Sequence, residues 1–146
     1  MRLWDALTGE PCATLTHTSF VWELAFGPDG TWLATGSADE RLRIWDLPTV
    51  RVLKEIQFPR REFHSLTVST DGTRVAARTY DPTSKKYNLT VCEIASDKTI
   101  FSTEGSSLTY SLDGRWLAAL APDQKTVLLL DARTHETVAR FSGHGI

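Results

Sequence analysis

The sequence predicts an all-β chain of repeated four-stranded antiparallel units, and three observations predict it. Asp-Gly pairs fall at Asp29-Gly30, Asp71-Gly72 and Asp113-Gly114, and 71 − 29 and 113 − 71 are both 42. A second series, Asp39, Asp81 and Asp123, keeps the same step. Behind the Asp-Gly pairs, Leu33, Val75 and Leu117 are each followed by alanine, at Ala34, Ala76 and Ala118. A fixed period of this kind marks a repeat architecture. Each period holds four short apolar runs, and four strands of about five residues plus turns fill roughly 40 residues, so the unit is one blade of a radial β-array.

The pattern is fullest between Thr16 and Asp46. There "FGPDGTWLATGSADERLRIWD" joins an Asp-Gly hairpin, a small-residue second strand, a turn Asp and a Trp-Asp ending. These residues resemble the WD-repeat (WD40) β-propeller family, and the likeness covers nearly the whole chain. Closed propellers have about four to eight blades, and 146 residues at a 42-residue period fall short of four. The resemblance therefore implies a β-propeller fragment of about three complete four-stranded antiparallel blades plus an outer half-blade, open rather than closed.

Arg2-Leu3-Trp4-Asp5 matches Arg43-Ile44-Trp45-Asp46, so residues 1–16 read as the third and fourth strands of a blade, with Thr8-Gly9 as the turn and Pro11 to Leu15 as the outer strand. Residues 17–58 read as the first complete blade. Val21 to Phe26 is its inner strand, apolar on both sides because neighbouring blades enclose it. Gly27-Pro28-Asp29-Gly30 is its hairpin turn, where Pro fixes φ early and Gly tolerates positive φ late. Trp32 to Ser37, Leu42 to Asp46 and Arg51 to Phe58 complete it.

Residues 59–102 read as the second complete blade, opening on Phe63 to Val68. Asp81 to Cys92 spans 11 steps where Asp39 to Trp45 spans 6. The polar, turn-rich insertion over 81–88 is expected to project as a solvent loop, with Lys85-Lys86 solvated on it. Residues 103–142 read as the third complete blade, with strands at Leu108 to Tyr110, Trp116 to Leu120, Val127 to Asp131 and Glu136 to Phe141. Gly143-His144 resembles the Gly-His that opens a unit in this family, which makes 143–146 the start of a further repeat.

Composition narrows the function classes. A formal net charge of −2 and a pI near 6.1 give no electrostatic ground for nucleic acid or an anionic membrane. No stretch approaches the roughly 18 apolar residues of a membrane span. Cys12 and Cys92 lack metal-site or disulfide-framework spacing, so a reducing, cytoplasmic location is expected. His17, His64, His135 and His144 share no metal-ligand spacing. Phosphate-loop, HExxH and paired-carboxylate patterns are absent, so neither a cofactor nor an enzymatic activity is expected.

His17, Ser37 and Asp39 could be read as a nucleophile relay, but "ATGSAD" supplies neither an exposed elbow nor oxyanion donors. The family resemblance implies a structural role instead. His17, Ser37, Asp39 and Trp45 match a buried hydrogen-bonded set in which Asp accepts turn and imidazole donors, His bridges to the hydroxyl, and the indole N–H finds a partner. Carried over residue by residue, the second blade places Pro59, Thr79, Asp81 and Cys92 in those columns, and the third places Phe101, Ala121, Asp123 and Leu130. Both are expected to rely on apolar packing and to open more readily than the first. Asp5, Asp46, Glu93 and Asp131 end the third strands and are expected to accept turn amides.

The same resemblance places partner contacts where a bulge at the start of the inner strand turns side chains outward. Those columns hold Phe20 and Trp22, Glu62 and His64, and Glu104 and Ser106; Ala38, Tyr80 and Pro122 precede the turn acids. Phe20, Trp22, His64 and Tyr80 form the expected contact set, since Trp and Tyr are enriched among interface anchors. Covering a blade edge is an equally good role for Trp22. Arg60, Arg61 and Glu62 give the face mixed charge. The expected function is a protein–protein interaction scaffold, part of a larger propeller protein, with missing blades or a second chain at the open ends. An open arc that adds to another propeller and a homodimer are the other arrangements. The alternative is a regulatory or targeting appendage of an enzyme, a kinase or nucleotide-hydrolysing switch, encoded outside this chain.

Overall fold

The computed structural model describes residues 1–58 and 62–143, and every described regular element is a β-strand. The opening of the second expected blade at 59–61 and most of the further repeat expected at 143–146 lie outside the described residues, and with them the roles given to Pro59, Arg60, Arg61 and His144. Strands β1 (Arg2–Trp4) and β2 (Pro11–Thr14) form a two-stranded antiparallel sheet. Three four-stranded antiparallel sheets follow, each in chain order. The first holds β3 (Val21–Phe26), β4 (Trp32–Ser37), β5 (Arg41–Asp46) and β6 (Arg51–Gln57). The second holds β7 (Glu62–Val68), β8 (Arg74–Asp81), β9 (Lys86–Glu93) and β10 (Thr99–Glu104). The third holds β11 (Ser107–Tyr110), β12 (Trp116–Leu120), β13 (Thr126–Asp131) and β14 (Thr137–Ser142). No described sheet closes on another across a ring, so the arrangement is an open arc of blades.

The Asp-Gly turns work as their chemistry dictates. Gly30, Gly72 and Gly114 take φ of 71°, 69° and 72°, the left-handed region that glycine enters without a Cβ clash. Asp29, Asp71 and Asp113 each accept the amide two residues on. That amide leads in lowering the Asp29 carboxyl; burial raises Asp71 but the Ser69 hydroxyl and the Thr73 amide outweigh it, and the Ser111 hydroxyl followed by the Arg115 amide lowers Asp113. Asp5, Asp46 and Asp131 likewise accept amides of the turns that follow them.

The core lies between blades, because each sheet buries alternate residues toward each neighbour. Leu42, Ile44 and Ala34 of the first blade meet Phe63, Val75 and Cys92 of the second. Ala76, Leu89 and Val91 of the second meet Leu108, Leu117 and Leu130 of the third. Leu15, Leu33 and Trp45 fill a smaller core under the half-blade. The Cys92 thiol is buried where Trp45 stands in the first blade, and burial pushes it above its ordinary value.

Two expectations are corrected here. The 81–88 insertion is not a loop: Asp81, Lys86, Tyr87 and Asn88 extend the ladder of β8 and β9, pairing Asp81 with Lys86 and Tyr80 with Tyr87, and only residues 82–85 turn. Pairing satisfies backbone groups that a polar loop would leave to water, and it lets the two tyrosine rings pack at a tilt of 49° with 5.0 Å between centroids. Phe101 does not precede an inner strand. It lies within β10 opposite Val91, so the second blade runs to Glu104 rather than 102, and only Gly105 and Ser106 connect it to β11.

Candidate functional site

The expected His-Ser-Asp-Trp set separates into two networks. The Trp45 indole donates to the Thr35 hydroxyl at 2.9 Å, and His17 Nε2 meets the same hydroxyl at 2.9 Å. His17 Nδ1 lies 3.2 Å from the Leu15 carbonyl. A carbonyl can only accept, so Nδ1 carries the proton and Nε2 accepts from Thr35. Thr35, not Ser37, is therefore the hub, and register explains why. Trp45 pairs with Leu33, which places Thr35 diagonally within reach on the same face; Ser37 lies two residues, about 6.6 Å, further along. Burial lowers the His17 pKa, with the Leu15 bond opposing it and Arg43 and the N-terminal amine assisting.

Ser37 and Asp39 belong to the second network. Ser37 Oγ donates to the Phe20 carbonyl at 2.9 Å, and Thr18 donates to Asp39. Arg43, 5 % exposed, binds Asp39 at 3.1 and 2.7 Å and Glu55 at 2.7 Å. Burial would raise the Asp39 pKa, but Arg43 and Thr18 outweigh it and hold the carboxyl well below the usual range. Ser37 is thus locked to backbone with no histidine at its oxygen, so the trio forms no nucleophile relay.

At the Thr35 column the second and third blades carry Ala77 and Ala119, and at the Trp45 column Cys92 and Leu130. The hydroxyl and its indole donor are lost together. No orphaned polar group remains at those positions, which is the arrangement that avoids a desolvation penalty.

The bulges expected at the inner strands are present in the first two complete blades, whereas β11 pairs with β12 without a register shift and Glu104 lies in β10. The ladder skips Trp22 between Val21 and Glu23, and His64 between Phe63 and Ser65. An extra residue in a bulge is re-aimed out of the sheet. Trp22 lies 6.4 Å from His64 between ring centroids, and His64 lies 6.2 Å from Tyr80. Phe20 stands apart, 78 % exposed, beside His17 and Leu24. Two further residues join the cluster that sequence reading left out. Tyr87 packs 5.3 Å from His64, and the Arg78 guanidinium sits 3.9 Å above the Tyr87 ring. Both follow from the lengthened hairpin, which the polar composition of 81–88 concealed.

No described group of three His, Cys, Asp or Glu residues is arranged to hold a metal. No described helix is long and apolar enough to cross a membrane.

A blade-sized period, sheets that bury residues toward both neighbours, and a His–Thr–Trp hydrogen-bond set define a β-propeller repeat protein. Residues 9–46 match the family model described as WD domain, G-beta repeat. The described blades form an open arc, and the likeness to that family model falls on residues 9–46 of it. It is similar to the coronin-like protein of Saccharomyces cerevisiae, 34 % identical over 55 residues that cover 38 % of this chain and 8 % of that one. It is also similar to eukaryotic translation initiation factor 3 subunit I of Neurospora crassa, 40 % identical over 58 residues, covering 39 % and 17 %. A third relative is the human serine-threonine kinase receptor-associated protein, 41 % identical over 46 residues, covering 32 % and 13 %. The matched stretch is thus less than a fifth of the length of each of these relatives.

Proposed function

We propose that the chain is a non-catalytic protein-interaction scaffold, one part of a larger WD-type propeller in a reducing, cytoplasmic setting, that holds protein partners on its bulge face. The observation that carries this reading is the aromatic group Trp22, His64 and Tyr80, brought together from two blades and left at the surface. Aromatic anchors of this kind supply most of the energy of protein interfaces. The free thiols of Cys12 and Cys92 support the compartment.

Further blades pairing at the ends of the arc fit the exposed apolar side chains there. Leu24 and Phe26 are 51 % and 56 % exposed beside the half-blade, and Phe141 is 52 % exposed on the last sheet. Packing another blade would cover them, as the inner junctions cover their counterparts.

The test is affinity capture with the wild-type chain and with a Trp22→Ala, Tyr80→Ala variant of matched circular dichroism. Partners lost by the variant, then rebuilt from purified components, support the reading; an unchanged partner set rejects it. The same capture with Phe141→Asp separates the two surfaces, because only partners at the open end should respond.

A further inference from the structure

The second junction between blades departs from the first at one column. Where Phe63 closes over Gly36, the corresponding positions hold Gly105 and Arg78. Gly105 has no side chain to cross the junction, and a Cβ there would collide with Leu89 at 2.5 Å. Beside it opens a cleft of about 180 Å³ lined by Tyr87, Gly105, Ser106 and Lys85 among others. The Ser106 hydroxyl at its wall is buried and has no hydrogen-bond partner.

Arg78 adjoins this cleft through Tyr87. Its guanidinium lies over the Tyr87 ring, its Nε is buried without a partner, and no carboxylate among the described residues reaches it. The acids nearby are engaged elsewhere: Glu104 binds Lys86 at 2.5 Å, and Glu62 faces His64 at 3.8 Å. Contrast Arg43, more deeply buried, which has two carboxylates. A half-buried guanidinium with no anion is an unsatisfied fork, fixed in position by the ring beneath it.

We infer that Arg78 on Tyr87 is a receptor for the carboxylate side chain of an acidic peptide segment, whose neighbouring apolar residue lies against Trp22. This rests on the bulge face being the partner surface. The rings of Trp22, His64 and Tyr87 follow one another in steps of 6.4 and 5.3 Å, so Trp22 and Tyr87 are separated by no more than the length of about four residues of extended chain. The partner motif is accordingly an Asp or Glu and an apolar or aromatic residue no more than about four positions apart. Among the described residues only the Arg78 guanidinium lies over the Tyr87 ring, and one guanidinium matches one carboxylate, whereas phosphorylated motifs are bound by clusters of arginine.

The experiment is fluorescence polarisation of the full chain with a positional-scanning library of fluorescein-labelled octapeptides, including phosphoserine at each position. Wild type should select Asp or Glu at one position and an apolar residue no more than about four away. Arg78→Gln should weaken the best peptide about tenfold or more, while the Asn or Gln twin binds both proteins alike. Arg78→Lys, which keeps the stem and charge but loses the fork, serves if Arg78→Gln unfolds and should also weaken the best peptide. Acid selection that survives both substitutions overturns the inference, as does preference for phosphoserine over both carboxylates. Binding without acid selection, abolished by Trp22→Ala, overturns the Arg78 assignment while leaving the partner face standing. Failure to bind any peptide, with captured partners indifferent to Trp22→Ala and Tyr80→Ala, removes both.

Discussion

Phe63 closes the first junction between complete blades by lying directly against Gly36: a Cβ at position 36 would stand 2.5 Å from the ring's Cγ. The ring is 1 % exposed, so it has nowhere to retreat. Gly36→Ala is expected to destabilise the chain by about 1–3 kcal/mol through overpacking. Urea unfolding followed by tryptophan fluorescence reads the loss. Pairing Gly36→Ala with Phe63→Leu should recover part of it, since the two changes share one contact.

Thr35 accepts the Trp45 indole and donates to His17, and it is fully buried. Thr35→Val keeps the shape and removes both bonds, leaving the buried Trp45 indole nitrogen and the part-buried His17 Nε2 unpaired. A loss of about 1–3 kcal/mol is expected in thermal or urea unfolding. Ser37→Ala removes a hydroxyl that bonds only neighbouring backbone, and should cost less than Thr35→Val.

Acid should weaken the fold before any carboxylate titrates. Burial lowers the pKa of both His17 and His135 from 6.5, and His135 Nε2 is buried without a partner beside Phe101. Below pH 6.5 the unfolded chain takes up protons that the folded chain refuses, so stability falls as pH drops from 7.5 to 5.5. Above that window these groups contribute a constant amount. Melting temperatures across the range test this, and His17→Gln with His135→Gln should flatten the slope whatever it does to the plateau.

Val50 occupies a turn position at φ 57°, where Gly9, Asp97 and His135 hold the matching turns at 73°, 60° and 61°. A β-branched residue pays for the left-handed conformation, roughly 1–2 kcal/mol, and its side chain lies at the surface. Val50→Asn should raise stability by about 1 kcal/mol. A melting temperature equal to or below wild type would show that the strain is absorbed elsewhere.

The strands and turns were legible in sequence because each turn carries its own chemistry: the Asp-Gly pairs, the strand-ending acids and the Pro at 28 mark boundaries locally. The hub of the His17–Trp45 network was not, because Thr35 and Ser37 share one face of β4 and only the pairing register of β5 chooses between them. The hairpin of β8 and β9 was hidden by composition, since Asp81 to Asn88 is polar enough to be a loop and becomes ladder through the Tyr80–Tyr87 pair. Phe101 was misplaced because the insertion lengthens one part of the blade while a two-residue connection shortens another, so the period of 42 survives with the columns shifted inside it.

The paired columns 35/45, 77/92 and 119/130 hold Thr with Trp, Ala with Cys, and Ala with Leu. A lone change of Ala77 to Thr would bury a hydroxyl with no indole to serve, and a lone change of Thr35 to Ala would strand the indole already there. Each intermediate sits in a dip of stability that neither end state feels. The heritable unit at these positions is the matched set, and blades can drift between the polar and apolar versions only by changing several residues in concert.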